Sequence, residues 1–236
     1  MDKIFTKNIE HESAVKHVTG KAIYTDDISE PKNLLHAVIG YSNCSKGVIK
    51  KIDYKDVLSS EGVVDIITEK DIEGINDVGP IFKGDKIFTS KNIEYYGQPI
   101  FAVIAKTNNL AKKAALKVKI DLKISKPIVS IEEALKKKSF VLKPKHLTRG
   151  NIKDGFKKSD NILKGKLYSG GQDHFYLEGQ IAMTIPQEDN NFLVYSSTQH
   201  PSETQQIIGK VLKQNYNSIH VIVRRIGGGF GGKETQ

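Results

Sequence analysis

Five glycines surround one phenylalanine near the end of this chain, in Gly227-Gly228-Gly229-Phe230-Gly231-Gly232, and Lys233 and Glu234 follow directly. Glycine reaches positive φ and lets the backbone approach a ligand without a Cβ in the way. A glycine-dense turn leaving a strand can point consecutive N–H groups into one concavity, which suits an anion. A frayed chain end is the alternative, but a single large aromatic set among glycines is not linker composition. The nearest generic motif is the phosphate-binding loop G-x-x-x-x-G-K followed by Ser or Thr. Gly227, Gly232 and Lys233 fit that spacing, yet Glu234 stands where the magnesium-binding hydroxyl belongs. A carboxylate there repels a triphosphate, so nucleotide hydrolysis is a weak reading.

Three further places carry chemistry-capable side chains. Gln172 follows Gly170-Gly171 and precedes Asp173-His174; its amide offers both donor and acceptor groups and can bond an oxygen on a metal without coordinating the metal. A loop glutamine bonded to its own backbone is the plain alternative. His174 and Glu178 stand four apart, a metal-ligand spacing on a helix. Their segment falls between expected strands, however, which favours a hydrogen-bonded structural role for His174. Cys44 is the only cysteine; it has no activating neighbours, and alone it forms neither a disulfide nor a multi-thiolate cluster within the chain. Asp26-Asp27, between Tyr24 and Ser29, read as turn residues, and the remaining histidines form no spaced cluster.

The segments GGGFGGKET (227–235), SGGQDHFYLEGQ (169–180), STQHPSETQ (197–205), HVTGKAIYTDDI (17–28) and EYYGQPIFAVIA (94–105) together resemble the molybdenum-binding subunit of bacterial xanthine dehydrogenases, within the xanthine dehydrogenase/aldehyde oxidase family. The resemblance runs in order from about His11 to the last residue, over the first part of a subunit that is normally several times longer. It implies an α+β chain: an N-terminal a/b hammerhead-like domain, then the start of a molybdopterin-binding domain. It implies that Gln172 hydrogen-bonds an oxygen ligand of molybdenum, and that Gly229, Phe230 and Gly231 pack against the molybdopterin cofactor. The Phe230 backbone would face the metal's ligands and its ring would shield them from water. Glu234 would orient a purine, since aldehyde-oxidising relatives tend to carry an apolar residue there. The reaction implied is oxidation of hypoxanthine and xanthine to urate with oxygen derived from water. Electrons would pass to iron–sulfur clusters and FAD on a partner subunit, making a hetero-oligomer. The general base and the substrate-binding arginine of the pattern are expected beyond Gln236, so no catalytic residue is assigned within the chain, and little activity is expected of it alone. An aldehyde oxidase-like hydroxylase and a non-catalytic subunit-interaction module are the alternatives.

These residues need elements to position them. Apolar β-branched runs at Leu34–Ile39, Val63–Thr68 and Ile100–Ala105 read as buried strands. Lys117–Ile124 alternates, with Val118, Ile120, Leu122 and Ile124 on one face. Thr107 can cap a helix through Leu110, Ala111, Ala114 and Ala115, and Tyr54–Ser59 can form a short one. Further on, Ile162–Ser169, Gln180–Ile185 and Phe192–Thr198 read as strands, the last two joined by the hairpin loop 186–191. Pro201 starts a helix bearing Ile207, Ile208, Val211 and Leu212, and Ile219–Val223 leads into the glycine loop. Expected divisions are a lead-in over 1–16, the hammerhead-like domain over 17–128, a connector with a short helix over 129–148, and the beginning of the cofactor-binding domain over 149–236.

A chain of 236 residues, 38% hydrophobic and 27% charged, has the composition of an ordinary globular protein. No apolar run approaches the roughly 20 residues that span a bilayer, and no signal-peptide pattern opens the chain, so a cytoplasmic location is expected. The formal net charge is +9. Its lysines are spread along predicted outer faces without interleaved aromatics, which argues against nucleic-acid binding.

Overall fold

The computed structural model describes residues 10–79 and 81–234. The first nine residues of the lead-in, Pro80, Thr235 and Gln236 lie outside the described residues. Two compact units are present: one joins the residues up to Ser125 with those from His174 onward, and the other comprises Lys126–Asp173. The architecture is α+β.

In the larger unit, β1 (His36–Tyr41), β3 (Val63–Ile67) and β5 (Pro99–Ala105) form an antiparallel sheet in the order β1-β5-β3. β5 is central because its run Ile100–Val103 is apolar on both faces, and Phe101, Val103 and Ala105 are wholly buried. Gly40 pairs with Phe101 across the ladder. A Cβ at Gly40 would collide with the Phe101 ring, so this glycine makes the space that the ring fills. α3 (Asn108–Ala115) lies against β1 and β5. Thr107 caps it, its hydroxyl accepting from the Leu110 amide at 3.3 Å, and Ala111 and Ala114 are buried on its inner face.

A second antiparallel sheet, ordered β4-β2-β6, pairs β4 (Asn92–Ile93) and β6 (Lys119–Ile124) with a central β2 (Gly47–Asp53). Ile49, Ile52, Ile93, Ile120 and Leu122 turn toward the common core, which also holds Cys44 and Val57 of the short helix α2 (Lys55–Leu58). Cys44 is free and buried. β2 escapes the alternation rule because Lys50 and Lys51 stand together at a register shift between Ile49 and Lys51.

The third sheet positions the glycine loop. β7 (Ala182–Pro186) and β8 (Phe192–Ser196) form the expected hairpin, and β9 (Ile219–Ile222) joins β8 in parallel. The crossover is α6 (Pro201–Leu212), with proline in its first turn. The Gln205 side chain on α6 donates to the Ile219 carbonyl at 2.8 Å and so fixes where β9 begins. The far end of α6 is held too: its Val211 and Lys210 carbonyls accept from the Gly74 and Ile75 amides at 2.9 and 3.1 Å.

The smaller unit carries α4 (Ile131–Lys136), capped by Ser130 and braced by a Lys137–Glu133 ion pair at 2.7 Å, and α5 (Ile152–Lys157), capped by Asn151. The strand expected over Ile162–Ser169 is not formed. Leu163, Leu167 and Tyr168 are exposed there, and no neighbouring strand among the described residues offers a ladder.

Candidate functional site

After β9 the chain passes Arg224 and enters a series of left-handed residues: Arg225 (φ 108°), Gly228 (94°), Phe230 (55°) and Gly231 (96°). Two of these are not glycine, a conformation that persists in structures only where the surroundings impose it. Arg225 is held through its guanidinium by the Ser13 hydroxyl at 3.1 Å and the Ile23 carbonyl at 3.4 Å, and the loop beyond it by the segment His174–Gln180 and the turn after β8.

Glu178 is the first support. Its Oε2 accepts from the Gly227 amide at 2.7 Å and from Lys233 Nζ at 3.0 Å. Lys233 is fully buried, and its ammonium also lies 4.7 Å from the centre of the Tyr176 ring, a cation–π distance. Gln199 is the second support: its Oε1 accepts from the Gly231 amide at 2.9 Å and the Lys233 amide at 3.2 Å. The Lys233 carbonyl in turn accepts from the Gln199 amide at 2.8 Å and from the Thr198 hydroxyl at 3.2 Å. The Gly232 carbonyl accepts from Gln180 Nε2 at 3.1 Å, and the Gly232 amide donates to Gly229.

The amides of Gly228, Gly229 and Phe230 are left over; they meet no acceptor among the described residues. Glu178 Oε1 is likewise buried without a hydrogen-bond partner. Close packing explains the glycines around these amides. A Cβ at Gly229 would strike the Gln199 side chain, and one at Gly232 would lie 2.7 Å from Tyr176 and 3.0 Å from His174. Three unpaired amides in a turn of alternating hand, bare of side chains on two of the three residues, fit the anionic and oxygen atoms of a cofactor.

Each sequence expectation can now be placed. Gly229, Phe230 and Gly231 lie together in the loop, and Glu234 follows it with an exposed side chain. Gln172 is exposed on the smaller unit, two residues before His174. The Phe230 ring is 76% exposed and so shields nothing by itself within this chain. Lys233 does not reach for phosphate, being turned inward and paired. Glu178 Oε2 is taken by Lys233 and Gly227 while its Oε1 has no partner, and His174 packs on Gly232 with no hydrogen bond among the described residues, so the hydrogen-bonded role expected of His174 is not formed among them. Their segment braces the glycine loop instead. Among the described residues no cluster of three His, Cys, Asp or Glu side chains could hold a metal ion. The supports Glu178, Gln199 and Lys233 were missed as such, because their partners lie 32 to 55 residues apart.

Two family models divide the chain between them. The aldehyde oxidase and xanthine dehydrogenase a/b hammerhead domain matches residues 19–126, and the molybdopterin cofactor-binding domain matches residues 133–236. The chain belongs to the aldehyde oxidase and xanthine dehydrogenase family. It is 39% identical to a xanthine dehydrogenase of Dictyostelium discoideum over 98% of its own length, and 39% identical to aldehyde oxidase 1 of Bos taurus over 97%. It spans 17% of the length of each of these relatives. Its fold superposes on the aldehyde oxidoreductase of Desulfovibrio gigas with a TM-score of 0.81 at 26% identity, covering 94% of this chain and 27% of that one. Gln172, the glycine loop and Glu234 all fall inside the stretch matched as a molybdopterin cofactor-binding domain of this family.

Proposed function

We propose that this chain forms part of a molybdenum hydroxylase that oxidises purines, hypoxanthine and xanthine to urate, using oxygen from water. Its electrons pass to iron–sulfur clusters and FAD on a partner subunit, and the assembly works in the cytoplasm. Residues 17–128 are the hammerhead-like domain, 129–148 a connector, and the cofactor-binding domain begins at 149. When bound, the molybdenum cofactor supplies Lewis acidity and a two-electron sink. The chain's own residues do the rest. The free amides of Gly229 and Phe230, with Gly228, hold the cofactor's anionic atoms, and Gly231 allows the turn. The Gln172 amide would hydrogen-bond an oxygen ligand of the metal, and the Phe230 ring, exposed in this chain, would shield the bound cofactor from water. Glu234 hydrogen-bonds a purine's ring nitrogens or carbonyl oxygen and fixes which carbon is presented.

The observation carrying this reading is an exposed carboxylate, Glu234, placed directly after a loop with three amides that meet no acceptor among the described residues. One finding favours a second reading, an aldehyde oxidase: identity to the cattle aldehyde oxidase 1 equals that to the Dictyostelium xanthine dehydrogenase. Glu234→Val separates the two. A site built to hydrogen-bond its substrate discriminates strongly when that group is lost. On the purine reading, kcat/KM for xanthine falls about hundredfold or more while turnover of an aromatic aldehyde is kept or rises. Unchanged xanthine kinetics, or a wild type that prefers aldehydes, overturns it.

A further inference from the structure

Between Gly227 and Lys233 the chain makes a turn whose two ends meet on one carboxylate oxygen, Glu178 Oε2. The lysine is wholly buried, and the glutamate side chain is 10% exposed. Burying an ion pair forfeits the hydration of both charges, and such a pair adds little net stability compared with apolar residues of the same size. A charged tie at this place therefore has to be explained by what it fixes. It fixes both ends of the loop at once. With Gln199 holding the Gly231 and Lys233 amides, four N–H groups are consumed inside the protein, those of Gly227, Gly231, Gly232 and Lys233. The amides of Gly228, Gly229 and Phe230 remain.

We propose that the Glu178–Lys233 pair is a positioning device: it ties the two ends of the glycine loop so that these three amides are held unpaired for the anionic atoms of a cofactor. The idea rests on the reading that the loop holds the molybdenum cofactor. Neither residue touches substrate; both act through the backbone between them.

The test uses Lys233→Met, Glu178→Gln and the double variant, made with the partner subunit in a host that produces the cofactor. Three quantities are read: the thermal midpoint, molybdenum content, and deuterium exchange across 227–233. Each single change leaves a buried group without its partner, so the midpoint falls. The double variant is neutral and of similar volume, so its midpoint recovers toward wild type. Its loop stays untied, so exchange over 227–233 is faster by about tenfold or more, as expected for a lost charge-assisted hydrogen bond, and molybdenum content stays below half that of wild type. If the double variant regains slow exchange and full metal together with its midpoint, the pair serves stability alone and the proposal is wrong. If the single variants do not fold, the double variant still decides. A wild type without molybdenum defeats the proposed function, while the exchange comparison still shows whether the pair fixes the loop.

Discussion

By spacing alone Lys233 sits where a phosphate-gripping lysine would, and its side chain turns inward to Glu178 instead. The donors left without an acceptor among the described residues belong to the backbone, the consecutive N–H groups that a glycine-dense turn is expected to present. The same local logic makes Gly229 sensitive. Its φ is ordinary, so alanine suits the backbone, yet a Cβ there strikes the Gln199 side chain that holds Gly231 and Lys233. Gly229→Ala is expected to release those two amides at a cost of about 1 kcal/mol in stability, with a marked loss of molybdenum retained through gel filtration. Full retention of metal would show that Gln199 can move aside freely. Glu234, exposed beyond the loop, is expected to act on substrate choice and not on stability.

At the level of elements, periodicity located most of what it should. β5, β6, α3 with its Thr107 cap, the β7–β8 hairpin, α6 and β9 stand within two residues of their expected limits. β2 was not legible because its adjacent lysines break the alternation at a bulge, and the run Ile162–Ser169 was misleading because a strand needs a neighbour that no local pattern supplies. Thr107→Ala should destabilise the larger unit by about 1 kcal/mol in a denaturant titration, through loss of the α3 cap. A loop before β4 gives a pH prediction. The Gly84 amide, then the Gly79 amide, both at 2.8 Å, hold the Asp77 carboxyl below the usual carboxylate range. The folded pKa is depressed, so its stabilisation is present above about pH 4, the ordinary aspartate value, and is lost as pH falls through the depressed value. Asp77→Asn should therefore flatten the acid limb of the melting-temperature profile. An unaltered limb would mean that other carboxylates held below their ordinary range, Glu69, Asp71, Asp56 and Glu133 among them, dominate it.

For the molecule as a whole, the family was legible because five separate motifs occur in one order, whereas the supports of the loop became visible only once distant segments were brought together. Glu178 and Lys233 are 55 residues apart, and no periodicity connects them. The chain spans a sixth or so of its curated relatives, so the activity of an assembled enzyme depends on more than these residues. The claim that can be tested directly is that this loop holds a molybdenum cofactor. Elemental analysis of the purified protein, produced with a candidate iron–sulfur/FAD partner in a cofactor-making host, should give close to one molybdenum per chain. It should give clearly less for Gly229→Ala under the same conditions. Absence of molybdenum from the wild type, or equal content in both proteins, would contradict the account.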